Sequence, residues 1–318
     1  MIDHKKTIFV TGGAGFIGSN YLNKYVLLNP ETLFVNIDAL TYAGNLDNVR
    51  VSNEDNYFFC KVDIRDKSKI KSLFEEFKPD AIINFAAESH VDLSLKDPNI
   101  FIETNILGTN NLLFFSIEYD LKRFHQISTD EVYGSLDKTG ESFTEKDLLN
   151  PRNPYSASKA GAEMLVNSYH ETFGLNTVIT RSSNTFGPNQ DASKLIPRFI
   201  GLLQKGEKVN LYGKGEQIRE WLYVEDCISG INAVFENGHN GEIYNVGGGL
   251  EMTNYELTLE LLKSFDKDET SISYVEDRLG HDFRYSMNTS KIKDELDWSP
   301  KVSFEEGLEN TISSYEPE

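Results

Sequence analysis

The chain has 318 residues, 39% of them hydrophobic, so it can bury the core of one large domain or two closely joined domains, and disorder is not expected. Its formal net charge of -19 repels phosphate at long range, which argues against a nucleic-acid backbone as the main partner but allows one small anion held by local Arg and Lys. Cys60 and Cys227 lack the spacing of a metal site or a redox motif, so we expect reduced thiols and no metal. The sequence shows neither a signal-peptide pattern nor an apolar stretch long enough to span a membrane, so we expect a cytoplasmic protein.

Strand-like and helix-like segments alternate through the first half of the chain. The β-rich runs that we interpret as strands are residues 7–11, 33–38, 56–63, 80–87 and 123–129. The segments between them are long enough for crossover helices, for example residues 67–78, which end at Pro79. This alternation predicts βαβ units and the α/β class, with a doubly wound, Rossmann-type parallel sheet covered by helices on both faces.

Beyond about residue 180, glycine and proline interrupt this pattern at residues 183–197, 211–217 and 245–254. Such a composition favours a smaller, loop-rich α/β domain that closes over a ligand. We therefore predict a nucleotide-binding domain at residues 1–180, which a segment near 221–246 rejoins, and a mainly substrate-binding domain at residues 181–318.

The first strand runs into a glycine-rich turn, TGGAGFIG, that opens the first helical pattern. Gly12, Gly15 and Gly18 have the spacing that lets the backbone approach a pyrophosphate, which the helix N-terminus then binds. A flexible loop is the alternative. However, Asp38 ends the second strand, where a carboxylate binds both ribose hydroxyls and repels a 2′-phosphate. The sequence therefore predicts dinucleotide binding, with NAD favoured over NADP.

A second signal is Tyr155, followed four residues later by Lys159 in a segment with helical periodicity. The two share one helix face, so we expect the ammonium to lower the pKa of the phenol and let it take a proton from a substrate hydroxyl. A surface pair with a half-buried Tyr is the alternative. Ser128 and Thr129 favour the catalytic interpretation, because they end the fifth strand at the sheet edge where such folds bind ligands.

Two acids, Asp130 and Glu131, follow directly at the exit of that strand. Neighbouring carboxyl groups in one cleft can have separated pKa values, one protonated as an acid and one ionised as a base, which is what loss of water requires. A solvated turn is the alternative. Because successive strand residues alternate faces, the sequence leaves open whether both side chains point into the cleft.

Together, TGGAGFIG, the Tyr155 and Lys159 pair and the chain length resemble the extended short-chain dehydrogenase/reductase family. Within it, the chain resembles the dTDP-glucose 4,6-dehydratases over essentially its whole length. The segments that carry this likeness are STDEVYG, AAESHVD, NPYSASKAGAE, KLIPRFI, REWLYVEDC and DRLGHDFRYSMN. The Thr-Asp-Glu triplet discriminates best, because 4-epimerases of the family usually carry no acid pair there.

The resemblance implies a hydro-lyase that oxidises an NDP-hexose at C4 with NAD⁺, eliminates water across C5 and C6, and returns the hydride to C6. Thr129 would help polarise the sugar at O4, where Tyr155 would be the base. Asp130 would protonate the departing C6 hydroxyl and Glu131 would deprotonate C5, while Lys159 would bind the nicotinamide ribose and tune the tyrosine. The implied substrate is dTDP-glucose.

Several alternatives stay open at this point. Another NDP-sugar, such as a UDP-sugar, would undergo the same reaction. NDP-sugar 4-epimerisation or decarboxylation would use Tyr155 but leave Asp130 and Glu131 without a chemical task. A non-catalytic NAD-binding sensor would need none of these groups, which argues against that class.

The resemblance also implies which residues contact each ligand. Those expected at the cofactor are Gly12, Gly15, Phe16, Ile17, Gly18, Asp38, Asp63, Ile64, Ala86, Ala87, Ser128, Tyr155 and Lys159. Those expected at the substrate are Ser89, His90, Thr129, Asn184, Lys194, Leu195, Tyr212, Arg219, Asn254, Arg278 and His281. The planar fork of arginine suits diphosphate oxygens, which reconciles an acidic chain with an anionic ligand.

Three places depart from the family pattern. Leu93 stands where Arg is common, and Cys227 stands where His often follows the Glu-Asp pair. Residues 191–193 are Asp, Ala and Ser, where the family usually has first an aromatic residue or His, then Pro, then Glu. None of these changes removes a catalytic group. The last bears on the choice of nucleotide and sugar, because it lies in the predicted substrate domain.

A homodimer is the expected assembly. The resemblance implies it, and residues 98–120 and the helix after Tyr155 hold more apolar positions than one buried face requires. Such helices would pair across a two-fold axis as a four-helix bundle.

Overall fold

A seven-stranded sheet lies at the centre of the computed structural model, which describes residues 4–277 and 281–315. The strands are β1 (Lys6–Thr11), β2 (Thr32–Asp38), β3 (Tyr57–Lys61), β4 (Ala81–Asn84), β5 (Arg123–Thr129), β6 (Thr177–Ser182), β7 (Asn184–Phe186), β8 (Val209–Tyr212), β9 (Ile218–Tyr223), β10 (Glu242–Val246), β11 (Leu250–Thr253) and β12 (Ile272–Val275). The large sheet has the order β10-β6-β5-β4-β1-β2-β3, and every pairing in it is parallel. The predicted α/β class with a Rossmann-type sheet is confirmed.

Helices cover both faces of this sheet. They are α1 (Phe16–Leu28), α2 (Lys67–Phe77), α3 (Val91–Lys96), α4 (Pro98–Phe101), α5 (Thr109–Glu118), α6 (Pro154–Phe173), α7 (Leu195–Gln204), α8 (Val224–Asn237), α9 (Asn254–Ser264), α10 (Ser290–Leu296) and α11 (Phe304–Ser314). A π-helix (Ile102–Gly108) joins α4 to α5, and short 3-10 helices span Leu46–Asn48, Asp130–Tyr133 and Glu269–Ser271.

The predicted elements of the first half are present, with two strands shorter than expected. β3 ends at Lys61 and β4 at Asn84, before the predicted limits of 63 and 87. Beyond β4 the amide of Ala86 bonds to the Thr11 hydroxyl at 3.2 Å, so the chain leaves the ladder while it still contacts β1. The predicted crossover helix is α2, which Asp66 caps by accepting a hydrogen bond from the Lys69 amide at 3.1 Å.

The two faces of β1 contribute to two separate cores. Ile8 and Val10 pack into the cluster on the α1 and α8 side, and Phe9 packs on the opposite face. The ring centroids of Phe9 and Phe74 lie 5.4 Å apart in an edge-on contact. Burial on both faces explains why the three central residues of the strand are all apolar instead of alternating with polar residues.

The second half forms smaller sheets and then rejoins the large one. β7, β9 and β11 form a three-stranded sheet, and β8 pairs with β12. The chain returns at β10, which pairs in parallel with β6. The predicted domain boundary at residue 180 falls inside β6, and the division into two domains stays a prediction. Across the described ranges, no helix has both the length and the apolar character needed to cross a membrane.

The strand order creates a crevice for a ligand. Successive crossovers run outward from β1 through β2 to β3, and then from β4 through β5 to β6 in the opposite direction. The sheet therefore has a switch point between β1 and β4, beyond whose carboxyl ends ligands bind in such folds. The glycine turn, Asp38, Ala86 and Ser128 all lie at this edge.

Candidate active site

The glycine turn between β1 and α1 leaves no room for side chains. Gly12 has a φ of +67°, and a Cβ there would lie 2.6 Å from the Ala86 amide nitrogen. A Cβ on Gly18 would lie 2.4 Å from the Gly12 carbonyl oxygen, so the helix and the turn approach as closely as only glycine allows. α1 has Gly15 as its N-cap and no side-chain capping bond, so its first N–H groups suit an anion.

Asp38 is held beside this turn by two backbone N–H groups. Its Oδ2 accepts from the Ala14 amide at 2.9 Å, and its Oδ1 accepts from the Leu40 amide at 2.8 Å. Burial raises the pKa of this carboxyl, and the two N–H bonds oppose that shift. The segment after Asp38 then folds back over it, because a Cβ on Gly44 would lie 2.8 Å from Oδ1.

One cleft runs from Asp38 past the glycine turn to Tyr155 and Lys159. Every residue predicted to contact the cofactor lines this cleft. The sequence reasoning missed other lining residues, among them Thr41, Gly44, Arg65, Glu88, Gln190 and Asp191. Thr41 and Gly44 follow soon after Asp38, the acid that ends β2, and this position could have marked them as lining residues.

On the Asp38 side, the cleft carries a second oriented carboxylate, that of Asp63. Arg65 donates to it through its backbone amide at 2.9 Å and through Nη2 at 2.7 Å. Burial alone would raise the pKa of Asp63, but these bonds and the guanidinium charge bring it below its usual value. The next residue, Ile64, is buried against the end of the π-helix, where a Cβ on Gly108 would lie 2.6 Å from its Cδ1.

Tyr155 and Lys159 lie one turn apart at the start of α6 and are both buried. Lys159 Nζ donates to the Ile127 carbonyl oxygen on β5 at 2.5 Å. Burial lowers the pKa of Lys159 to about 8, with Glu163 opposing the shift.

The expected lowering of the Tyr155 pKa is wrong for this structure. Burial, and then the Glu131 charge, raise the pKa of Tyr155 well above its usual value, with a hydrogen bond to Thr129 opposing them. The ammonium of Lys159 donates to the Ile127 carbonyl oxygen, and burial and the Glu131 charge set the direction of the shift at the phenol.

The acid pair lies in the 3-10 helix that follows β5. The Thr129 hydroxyl accepts from the Glu131 amide at 3.3 Å, so the chain turns as soon as the strand ends. Both carboxyl groups lie close enough to Tyr155, which lines the cleft, to shift its pKa. Asp130 is only 3% exposed, and its Oδ1 accepts from the Thr129 hydroxyl at 3.1 Å.

The two acids have different electrostatic surroundings. Burial raises the pKa of Asp130 well above its usual value, and the charges of Glu131 and Glu220 raise it further. Burial also raises the pKa of Glu131, but Asn153, Arg219 and Lys194 all oppose that shift. These surroundings favour the protonated form more strongly at Asp130 than at Glu131.

Two cations predicted at the substrate lie beside the acid pair. Arg219 is buried 4.4 Å over the Tyr285 ring and donates from Nη2 to the Asp282 carbonyl oxygen at 3.0 Å. Lys194 lines the cleft and donates to the Ser89 carbonyl oxygen at 3.0 Å. Both lower the pKa of Glu131, so their charges reach the same site.

The other predicted substrate residues are spread around this centre. His90 precedes α3, Asn184 begins β7, and Leu195 begins α7 against the core. Tyr212 and Asn254 flank a second, shallow hollow lined by Lys214, Gly215, Glu216, Thr253, Tyr255 and Tyr274. His281 Nδ1 lies 2.8 Å from Asp277 Oδ1. Arg278 lies outside the described residues.

The departures from the family pattern fall at different depths. Cys227 is fully buried in α8, with its Sγ 3.8 Å from the Ser182 hydroxyl, so it is a core residue. Leu93 is half-exposed on α3. Asp191 lines the cleft and accepts from the Ser193 amide at 2.9 Å. Of the three departures, only this last one lies in the cleft.

The described residues contain no group of three or more His, Cys, Asp or Glu that could hold a metal.

Comparison with known proteins identifies the family of this chain. The family model described as GDP-mannose 4,6 dehydratase matches residues 9–311. The chain belongs to this family. It is 48% identical over 309 residues to the low-salt glycan biosynthesis protein Agl12 of Haloferax volcanii, covering 97% of this chain and 98% of Agl12.

Two dTDP-glucose 4,6-dehydratases are also close relatives of this family member. That of Haemophilus influenzae is 43% identical over 329 residues, covering 97% of both chains. The crystal structure of the Bacillus anthracis enzyme in complex with NAD is 43% identical, covers 98% of this chain and 96% of its own, and superposes with a TM-score of 0.90. The predicted family and fold class are confirmed.

Proposed function

We propose that this chain is an NAD-dependent NDP-hexose 4,6-dehydratase and that its substrate is dTDP-glucose. The observation that carries the proposal is the acid pair, buried Asp130 and half-buried Glu131, close to Tyr155, which lines the cleft that begins at the glycine turn. The relatives at 43% identity named as dTDP-glucose 4,6-dehydratases support it over nearly the whole chain. The predicted dehydratase class and NAD cofactor agree with these relatives.

The cleft fits NAD by three features of the chain itself. The space beside Gly12 and Gly18 excludes any side chain, which suits close approach of a pyrophosphate to the backbone. Asp38 presents an oriented carboxylate for a ribose, and Ser128 Oγ is a buried atom without a hydrogen-bond partner among the described residues. When bound there, NAD⁺ supplies an acceptor for a hydride and, after reduction, its donor.

We propose that Tyr155 takes the proton from the C4 hydroxyl while Thr129 orients it. Burial and Glu131 favour the protonated phenol, so the proposal requires the positive charges of a bound nicotinamide ring and of Lys159 to favour the phenolate against them. Lys159, whose pKa is about 8, holds the adjacent end of β5 through the Ile127 carbonyl and is placed to bind the nicotinamide ribose. A C4 ketone then acidifies the C5 hydrogen, which is the proton that Glu131 removes.

The same proposal gives Asp130 the role of general acid. Burial and the neighbouring acids raise its pKa well above the usual value, which favours the protonated form that can donate a proton to the C6 hydroxyl as water leaves. We assign Lys194 and Arg219 to the substrate diphosphate or sugar, because both cations lie beside the acid pair. The predicted division of labour, NAD on residues 1–180 with the return near 221–246 and nucleotide sugar mainly on 181–318, is part of this proposal.

The remaining alternative within the family fold is a 4-epimerase, and one experiment separates the two. Pure protein is incubated with dTDP-, UDP-, GDP- and CDP-sugars, and the products are examined by mass spectrometry. A dehydratase removes one water from its preferred substrate without added reductant. A product of unchanged mass would favour epimerisation, and turnover confined to a UDP- or GDP-sugar would overturn the choice of dTDP-glucose.

We also propose a homodimer built on α6 and the helical stretch before it. Large apolar side chains are exposed there, including Ile102 at 47%, Leu107 at 53% and Met164 at 61%. Covering them in a four-helix bundle would remove this apolar surface from water. Light scattering should give twice 36.1 kDa, and the single-chain mass at micromolar concentration would reject the dimer. A cytoplasmic location stays a prediction.

A further inference from the structure

Asn153 joins the two halves of the catalytic machinery through one side chain. Its Oδ1 accepts from the Ser156 amide at 2.8 Å and so caps α6, the helix that carries Tyr155. Its Nδ2 donates to Glu131 Oε2 at 3.3 Å. Because the cap requires the oxygen of this amide, the nitrogen must face the carboxylate, and the two bonds fix its orientation.

We propose that Asn153 is a positioning residue for Glu131, whose carboxylate it holds as a proton acceptor and aligns with the first turn of the Tyr155 helix. The inference rests on the proposed dehydratase function and adds a residue to it. Asn153 itself touches neither reacting carbon in this proposal. It acts through the base.

The physical reason lies in what surrounds the Glu131 carboxylate. Burial favours its neutral form, and Asn153 is the first contribution that opposes this shift. A neutral amide donor stabilises a carboxylate without carrying a charge that a neighbouring cation or anion would offset. The titratable and charged groups that also act on Glu131 or respond to it are Asp130, Tyr155, Lys194, Arg219, Asp282 and Tyr285.

Replacement by serine separates the two roles of Asn153. Serine is a good N-cap, so Asn153→Ser should keep the start of α6 but lose the donor to Glu131. We expect the dehydration rate at neutral pH to fall about tenfold, because a hydrogen bond to a charged group has that order of effect. The acid limb of the pH–rate profile should move to higher pH, since Glu131 would then need a higher pH to ionise.

Replacement by aspartate provides a stricter test. Aspartate also caps helices well, but it would place a second carboxylate against Glu131. Asn153→Asp should therefore lower the rate more than Asn153→Ser does and move the acid limb further in the same direction. A role limited to capping predicts that both variants behave like the parent.

Three measurements on the NAD-loaded protein complete the test. The first is the pH–rate profile with dTDP-glucose. The second is the rate ratio for substrate with hydrogen or deuterium at C5, which should rise in both variants because C5 deprotonation becomes slower than the other steps. The third is thermal unfolding, which should change little. Ser303→Ala removes the cap of α11, a helix that contributes no residue to the lining of the cleft, and is the control that should lower the unfolding temperature and leave the other two readouts unchanged.

The outcomes distinguish the inference from the function on which it rests. If the parent makes no dehydrated product from any of the sugars, the proposed function fails. If the parent does so, and Asn153→Ser and Asn153→Asp keep its pH profile and its C5 isotope effect, the positioning role of Asn153 is overturned. A lower rate with an unchanged C5 isotope effect would also overturn it, because the loss would then lie outside the step that Glu131 performs.

Discussion

A buried ion pair behind the active site gives the sharpest stability prediction. Arg181 on β6 and Glu163 on α6 are both almost fully buried, with Nη2 to Oε2 at 2.6 Å and Nε to Oε1 at 3.2 Å. Arg181 Nη1 also donates to the Tyr133 hydroxyl at 2.7 Å, and that hydroxyl donates to Asn245 at 2.7 Å. The network therefore ties the helix of Tyr155 to the 3-10 helix of the acid pair.

Arg181→Met keeps the length and apolar stem of the side chain but leaves the Glu163 carboxylate buried without its cation. Breaking a buried pair on one side costs about 3–5 kcal/mol of unfolding free energy. Removing both charges, in Arg181→Met with Glu163→Leu, should return the stability to within about 2 kcal/mol of the parent, because neither partner is then left unpaired.

Urea unfolding followed by tryptophan fluorescence measures all of these variants, including the Glu163→Leu single variant that completes the cycle. The expected result is a large positive coupling between the two positions. The reasoning is refuted if Arg181→Met costs less than about 1 kcal/mol, or if the double variant is as unstable as the sum of the two single variants.

Three further predictions concern the cleft. Gly12→Ala should weaken NAD binding about tenfold in calorimetry, because a side chain at positive φ costs about 1–2 kcal/mol and its Cβ would contact the backbone of Ala86. An affinity equal to that of the parent would contradict this account of the turn. Asp130→Asn should raise the unfolding temperature at alkaline pH and lose this advantage on acidification. The pKa of Asp130 is higher in the folded than in the unfolded protein, so the parent loses stability as pH rises through the folded pKa, whereas asparagine has no such pH dependence. In a single-turnover experiment, Tyr155→Phe should leave the bound nicotinamide oxidised. Glu131→Gln should instead let reduced nicotinamide accumulate, with about a hundred- to ten-thousand-fold loss of product formation. Equal absorbance traces of reduced nicotinamide for the two variants would count against separate steps.

Local patterns were enough to predict the sheet and the cofactor cleft. The first five strands, α2, the glycine turn and Asp38 all depend on residues near one another in sequence, where spacing and burial follow directly from the pattern. The turn that brings both Asp130 and Glu131 close to Tyr155 also forms locally, through Thr129, but strand alternation alone did not predict it.

Contacts between distant segments were not predictable in the same way. Glu131 and Asn153 are 22 residues apart, and Tyr133 and Asn245 are 112 apart, so only the packed fold brings them together. The wrong expectation for Tyr155 has the same origin. A spacing of four residues placed Lys159 on the correct helix face, but the Ile127 carbonyl on a neighbouring strand decides where its ammonium points.

The central claim, that one site oxidises, dehydrates and reduces the same sugar, is tested most directly by following one hydrogen. dTDP-glucose with deuterium at C4 is converted in ordinary water, and the product is examined by NMR. The account predicts deuterium at C6 and a solvent hydrogen at C5 of a 4-keto-6-deoxy sugar. Deuterium that stays at C4 or is lost to solvent would contradict it.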